Sequence, residues 1–309
     1  MHILFYAHGS TGDDWLAALG KTLPLADIRL WHEGDTAPAD YAVVWKPPAA
    51  MLRGRTDLKA IFNLGAGVDA ILQLGEDLPA QVPIVRLDDA GMAVQMAEYV
   101  SYAVLRHFRR FDEFDAQSRD HRWRFLKPRD KKALRIGILG MGVLGARIAD
   151  ALLHFDFEVH GWSRSRKQIA GVQSFAGSDE FDAFLAQSHI VICVLPLTDD
   201  TRGVLDRAAL AMLPKGAYVI NVARGAHIVE RDLLELIEEG HLAGAMLDVF
   251  DDEPLPSDHP FWREPRITIT PHIAALTLRG DSVRQIAAKM KLLERGQPIA
   301  GLVDRSKGY

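Results

Sequence analysis

Two α/β domains, each a doubly wound parallel sheet, are the fold class this sequence predicts, and three observations predict it. Short apolar runs alternate with helix-length amphipathic segments from one end of the 309 residues to the other. Parallel strands need connections long enough for a helix, so this alternation points to parallel sheets. The runs also fall into two consecutive sets, more strands than one ordinary sheet holds. Finally, 48% hydrophobic and 25% charged residues suit a chain with sizeable cores, and the length suits two domains.

The first set of strands is expected at 3–7, 28–31, 41–45, 60–64 and 84–87, each a short apolar run such as Ile3-Leu4-Phe5-Tyr6-Ala7. Between the first two, Trp15, Leu16, Leu19 and Leu23 recur at helical spacing. The stretch 91–111 reads as one long helix, with Met92, Met96, Val100, Ala103, Leu105 and Phe108 as its apolar stripe. Residues 112–132 are charged and aromatic with little periodicity. The second set is expected at 135–139, 158–162, 190–195, 218–222, 245–249 and 267–270, followed by a second long helix over 276–295. If that helix packs back on the first domain, the chain crosses between domains twice. The domains are then 1–98 plus 277–309, and 99–276, with a hinge and a cleft between them.

Charge and composition exclude several classes of function. Lysine and arginine total 36 against 41 acids, a net charge of −5, so the basic surplus of a nucleic-acid binder is missing. One cysteine, Cys193, cannot form an intramolecular disulfide or a cysteine-rich zinc cluster, which fits a reducing compartment. It lies in an apolar run and is expected to be a packed core thiol. The first residues lack the basic and apolar regions of a signal peptide, and no run reaches the ~20 apolar residues that span a bilayer. A cytoplasmic protein with no membrane partner is expected. Neither H-x-x-x-H nor H-E-x-x-H occurs, and no metal is expected.

The most informative stretch runs from Arg135 to Ala149. Gly140, Gly142 and Gly145 stand at G-x-G-x-x-G spacing, directly after a strand and opening a helix. The first glycine permits the tight turn, the second lets the backbone approach a pyrophosphate, and the third lets helix and strand pack closely. The pyrophosphate then meets free backbone N–H groups at the positive end of the helix dipole. A carboxylate after the next strand would accept hydrogen bonds from the ribose hydroxyls of NAD. Here the chain reads Trp162-Ser163-Arg164-Ser165-Arg166-Lys167 instead. Three cations and two hydroxyls favour a 2′-phosphate, hence NADPH, with Ser163 and Arg164 in first contact and Arg166 as accessory.

Three later segments each put a functional residue at the C-terminal end of an expected strand, the edge where open α/β sheets bind ligands. They are Asn221-Val222-Ala223-Arg224-Gly225, the run from Asp248 to Glu253-Pro254, and Thr270-Pro271-His272. Arginine, glutamate and histidine on separate loops at one edge form an acid–base and anion-binding set.

At these motifs the sequence resembles the D-isomer-specific 2-hydroxyacid dehydrogenases, whose motif order it keeps along essentially the whole chain. Within that family it is most similar to the NADPH-using glyoxylate/hydroxypyruvate reductases. The narrower similarity rests on Val44-Trp45-Lys46-Pro47-Pro48, on 64–69, 108–112 and 162–164, and on the last seven residues, 303–309. The resemblance implies a Rossmann-like NADP-binding domain and a flavodoxin-like substrate domain. It implies that Arg224 holds the substrate carboxylate and polarises the neighbouring carbonyl, and that His272 is the general acid that protonates the C2 oxygen as hydride arrives. Glu253 would orient the imidazole and Asp248 would bind the nicotinamide carboxamide. Cofactor contacts at Val143, Leu144, Leu195, Pro196 and Val222 accompany these. Substrate contacts are expected from Trp45 and from backbone N–H groups at Gly65, Ala66 and Gly67. Met92 and Gln95 are candidates for covering the cofactor phosphates, with core packing the alternative for Met92. A homodimer is expected, with contacts over 91–124 and Trp123 reaching a partner's site. The activity expected is reduction of glyoxylate and hydroxypyruvate to glycolate and glycerate. Reduction of another 2-oxo acid on the same fold is one alternative, and a nucleotide-sensing binding protein without catalysis is another.

Overall fold

The computed structural model describes all of residues 1–309. The chain divides into two compact units, Met1–Met92 with Thr277–Tyr309, and Ala93–Leu276. The first crossing therefore falls at Met92 and not after residue 98. The physical reason is the helix Met92–Phe108, which from its first turn onwards buries Met96, Val100, Ala103 and Val104 in the core of the second unit.

In the first unit, β1 (His2–Ala7), β2 (Asp27–Leu30), β3 (Tyr41–Trp45), β4 (Ala60–Asn63) and β5 (Ile84–Val85) form a parallel sheet in the order β2-β1-β3-β4-β5. β5 stops two residues earlier than expected because the C-terminal segment takes over its hydrogen bonds. Arg86 N donates to Gly301 O (2.9 Å) and Val303 N to Ile84 O (2.9 Å). The helix Arg279–Glu294 packs beside the helix Asp13–Thr22 and buries Val283, Ile286, Ala287 and Met290. It begins three residues later than its apolar pattern suggests, since Leu276 and Thr277 are engaged outside it: Leu276 N donates to Gln95 Oε1 (3.1 Å) and Thr277 Oγ1 to Leu64 O (3.0 Å).

The second unit holds β6 (Arg135–Leu139), β7 (Glu158–Ser163), β8 (Val172–Ala176), β9 (Ile190–Cys193), β10 (Ala217–Asn221), β11 (Leu242–Leu247) and β12 (Ile267–Ile269). They pair in parallel in the order β12-β11-β10-β9-β6-β7-β8. The order reverses between β6 and β9, and at such a reversal the loops diverge to leave a crevice at the carboxyl ends of the strands. One face is covered by Met92–Phe108 and by the helix Val143–Leu153, which add Ile148, Ala149 and Leu152 to Ile136, Ile138, Ile190, Ile192 and Ile220. The other face packs Phe184, Leu210, Leu233 and Ile237 against Leu139, Val191, Val219 and Leu247. β8 is absent from the sequence reading. It is an edge strand in which Phe175 alone is buried, so it carries almost no apolar signal.

Part of 112–132, read as unpatterned, is also helical, over Phe111–Arg119. Its stripe is weak because no residue of it is fully buried. Beyond it Trp123 is wholly exposed and Phe125 is 80% exposed. No helix is long and apolar enough to cross a membrane.

His107, at the end of the long helix, is buried and stacked on Tyr218 at 4.3 Å between ring centroids. Burial, reinforced by the Arg129 and Arg110 charges, lowers its pKa to about 3. The unfolded chain, with histidine near 6.5, then binds more protons than the folded one between these two values. Stability therefore falls as pH drops below about 6.5, by about 1.4 kcal/mol per unit from this residue. The midpoint of thermal unfolding is expected to fall more between pH 7 and pH 5 in the wild type than in His107→Phe. Equal drops would remove His107 from the account.

Candidate active site

Every strand of the second sheet runs in the same direction, so the turns that follow β6, β7, β9, β10, β11 and β12 gather at one edge. The turn after β6 is the tightest. Gly140 has φ 108° and Gly145, buried in the first turn of its helix, would place a Cβ 1.9 Å from Gly140 O. Only glycine permits that approach of helix to strand. At Gly142, by contrast, a Cβ would meet nothing within 4 Å, so this side of the turn is open. Gly142 caps the helix Val143–Leu153 without a side-chain hydrogen bond, which leaves the N–H groups of its first turn for a ligand. Val143 is half exposed there, while Leu144 packs on the core. These features fit a dinucleotide pyrophosphate.

At the end of β7, Ser163 Oγ donates to Ser165 O (2.8 Å), closing a short turn that carries Arg164 at the surface. Arg166, expected as an accessory contact, is engaged within the protein. Its guanidinium pairs with Glu180 and donates to Ser174 O (2.5 Å) on β8. Glu180 also accepts from Ala176 N (2.7 Å), and these bonds, the backbone one foremost, hold its carboxyl below the usual range. Arg166 thus braces the run 163–167 against the edge strand. After β9, Leu195 is buried, and so is Val222 after β10; both belong to the cores flanking the sheet. Pro196 is partly exposed between them.

The turn after β10 presents Arg224. Asn221 clamps it from both sides, with Nδ2 donating to Arg224 O (2.8 Å) and Oδ1 accepting from Ala223 N (3.1 Å). Arg224 Nη1 donates to Ala223 O (2.7 Å), which bends the guanidinium back over its own turn. Gly225 must be glycine because a Cβ would lie 1.9 Å from Phe250 C. That contact brings the arginine turn against the loop after β11. There Phe250 N donates to Glu253 Oε1 (3.1 Å), while Glu253 Oε2 lies 2.8 Å from His272 Nδ1. One unbroken set of contacts therefore links Arg224 to Glu253 and His272.

His272 sits at φ 55°, a left-handed backbone that costs a non-glycine residue free energy and is maintained by its surroundings. Asp248 supplies them. Its backbone O accepts from His272 N (2.8 Å), and its buried carboxylate accepts from Thr270 Oγ1 (2.6 Å), Ile273 N (2.8 Å) and Ala274 N (2.7 Å). Three donors leave room for about one more on a carboxylate. Tyr99, on the long helix, completes the set with a hydrogen bond to Thr270 Oγ1. The imidazole is thus aimed by Glu253 and its loop by Asp248. With Nδ1 on Glu253, Nε2 meets no protein partner; the side chain is 43% exposed. A ring held at one nitrogen and open at the other is built to move a proton.

Gln95 binds the backbone of Leu276 with both amide groups, Nε2 to Leu276 O at 3.0 Å, and Met92 is buried. Sequence reasoning assigned no role to Asn221, Thr270 or Tyr99. The first two stand inside motifs already noticed, so a search for side chains that cap strand-end turns would have found them. Tyr99 lies 171 residues from its partner and leaves no local signal.

In the first unit, Asn63 Nδ2 donates to Gly65 O (3.1 Å) and Gly67 O (2.8 Å). With these carbonyls drawn to Asn63, the N–H groups of Ala66 and Gly67 meet no protein acceptor. Trp45 packs over the same turn, where a Cβ on residue 65 would come within 2.5 Å of its ring.

Residues 101–274 match the model of the D-isomer specific 2-hydroxyacid dehydrogenase NAD-binding domain. Over the full length of both chains the sequence is 53% identical to glyoxylate/hydroxypyruvate reductase A of Serratia proteamaculans and 50% identical to that of Yersinia enterocolitica. Among solved structures it is similar to a D-isomer specific 2-hydroxyacid dehydrogenase of Xanthobacter autotrophicus in complex with NADPH and MES. That likeness has a TM-score of 0.94 and 40% identity, covering 100% of this chain and 99% of the other. It is also similar to an NADPH-dependent glyoxylate/hydroxypyruvate reductase of Sinorhizobium meliloti in complex with NADP and sulfate, with a TM-score of 0.93, 35% identity and the same coverage.

Proposed function

The chain belongs to the D-isomer specific 2-hydroxyacid dehydrogenase family, and from that premise we propose that it reduces glyoxylate to glycolate and hydroxypyruvate to glycerate with NADPH. The observation that carries the reading is the Glu253–His272 pair, 2.8 Å apart and tied through Phe250 to the arginine turn. Full-length relatives named glyoxylate/hydroxypyruvate reductase A support the choice of substrates.

Bound NADPH supplies the hydride. The N–H groups at Val143 and Leu144 would hold the pyrophosphate, and Arg164 would hold the 2′-phosphate together with Ser163 once its hydroxyl turns from Ser165 O. Arg224 pairs with the substrate carboxylate and draws charge towards the C2 oxygen, where the negative charge of the reaction develops. His272 delivers the Nε2 proton to that oxygen, and Glu253 holds the ring by Nδ1 so that Nε2 is presented. Taken by itself, the first unit offers the N–H groups of Ala66 and Gly67, with the Trp45 indole beside them, as a turn suited to an anionic oxygen. Asp248 acts through the loop it organises, and its remaining lone pair suits a carboxamide donor.

Following the nicotinamide absorbance with a panel of oxo acids, NADPH and NADH tests the reading. Turnover with glyoxylate and hydroxypyruvate is expected, and binding of NADPH without turnover of any oxo acid would overturn it. Cofactor choice is a separate expectation. One charge-assisted contact contributes about 1.5–3 kcal/mol, so Arg164→Ala should weaken NADPH roughly 10- to 150-fold and leave NADH nearly unchanged. A uniform loss for both would mean that the run 163–167 does not read the phosphate.

The same reading assigns the enzyme to the cytoplasm, where its one cysteine stays reduced, and to a homodimer. Trp123 and Phe125 are exposed, as are Tyr102 and Phe111, and they are the apolar side chains that a second copy would cover. Sedimentation of the wild type as a dimer and of a Trp123→Ser, Phe125→Ser variant as a monomer is expected; a monomeric wild type contradicts it.

A further inference from the structure

His227 is wholly buried three residues beyond Arg224, yet it takes no part in the chemistry described above. Its ring bridges two loops at the ligand-binding edge. Nδ1 lies 3.2 Å from the Arg224 amide N and 3.0 Å from Arg224 O, and Nε2 lies 3.2 Å from Pro196 O. Arg224 O already accepts from Asn221 Nδ2 (2.8 Å) and from His227 N (3.2 Å). Nε2 donates to Pro196 O and Nδ1 contacts the Arg224 peptide; burial opposes a charge on the ring, but the Cys193 sulfur and these two peptides beside it raise its pKa to about 9.

We propose that His227 is a positioning residue that ties the turn carrying the carboxylate-binding arginine to the 195–196 segment assigned to the cofactor, with one ring nitrogen reaching each loop. The proposal rests on the reading of Arg224 and of the cofactor edge given above. Further along the chain, residues 203–205 and 226–229 are joined by main-chain bonds that do not depend on the side chain at 227: Gly203 N to Ala226 O (2.7 Å), Leu205 N to His227 O (2.9 Å) and Val229 N to Leu205 O (3.2 Å). Those bonds preserve the fold when the ring is replaced; Asn221 clamps the Arg224 turn and Thr201 Oγ1 donates to Pro196 O (2.7 Å), and the ring adds the direct tie between the two loops. A phenylalanine of the same shape would keep the packing and remove both bonds.

The two nitrogens can be separated by substitution, because an asparagine amide reaches the place of Nδ1 and a glutamine amide that of Nε2. His227→Asn retains the contact with the Arg224 peptide and loses the Pro196 bond. Its expected signature is NADPH binding weakened about fivefold to tenfold in a fluorescence titration, with the KM for glyoxylate within about twofold of the wild type. His227→Gln retains the Pro196 donor and is expected to show the reverse, a KM for glyoxylate raised about fivefold to tenfold and NADPH binding within about twofold. His227→Phe should show both losses. Parallel losses in the Asn and Gln variants, accompanied by a lowered unfolding midpoint, would make the residue merely structural and overturn the inference. So would unchanged binding and KM in all three. A wild type that binds NADPH and turns over no oxo acid would instead sink the functional reading, which the panel of substrates detects without any variant.

Discussion

His272→Asn lowers kcat for glyoxylate reduction by about 10²–10⁴-fold, the usual contribution of a positioned general acid, while NADPH binding stays within about threefold. The amide keeps a polar group at residue 272 and can still meet Glu253, but it has no proton to give the C2 oxygen at neutral pH. The rate loss therefore isolates proton delivery from folding and from cofactor binding. The backbone of this loop is held by Asp248 through His272 N, Ile273 N and Ala274 N, and those bonds do not need an imidazole. Single-turnover reduction with NADPH in excess measures the effect directly. A variant within fivefold of the wild type would show that the proton comes from elsewhere and that the Glu253–His272 pair is only a brace.

Arg224→Ala lowers kcat/KM for glyoxylate by about 10²–10⁴-fold, with much of the loss in KM. A guanidinium gripping a carboxylate makes two charge-assisted hydrogen bonds, each contributing about 1.5–3 kcal/mol. Arg224→Lys restores only part of the loss, because an ammonium is a point charge and cannot match both carboxylate oxygens in one plane. The turn itself should survive, since the Asn221 side chain holds main-chain atoms, Arg224 O and Ala223 N, that the substitution leaves in place. Steady-state kinetics with glyoxylate and with a neutral aldehyde separate the two parts of the role. The alanine variant should lose its preference for the carboxylate-bearing substrate, and a retained preference would move the carboxylate site to other residues.

Much of this site was legible as pattern. Glycine spacing after a strand, arginine without a carboxylate after the next strand, and Arg, Glu and His at three further strand ends are all local features, each readable within about ten residues. The mutual arrangement was not. Nothing near residue 225 announces that its glycine lies against Phe250, and nothing near residue 180 announces that Glu180 engages Arg166. β8 escaped because an edge strand with one buried side chain has no apolar run to detect. The domain crossing at Met92 escaped because the helix pattern continues unbroken through the point where its contacts change.

What the sequence determined by itself was the alternation of strands and helices, hence two parallel sheets, and the residue types at their carboxyl ends. Both follow from periodicity and from the few side chains that a given chemistry can use. The tertiary structure alone decided which of those residues meet and what each one touches. It turned Asp248 into the organiser of the His272 loop, Arg166 into a brace and His227 into a bridge between two turns. Those roles depend on hydrogen bonds between residues that are distant along the chain. Such bonds form only once the sheet has brought the loops to a common edge.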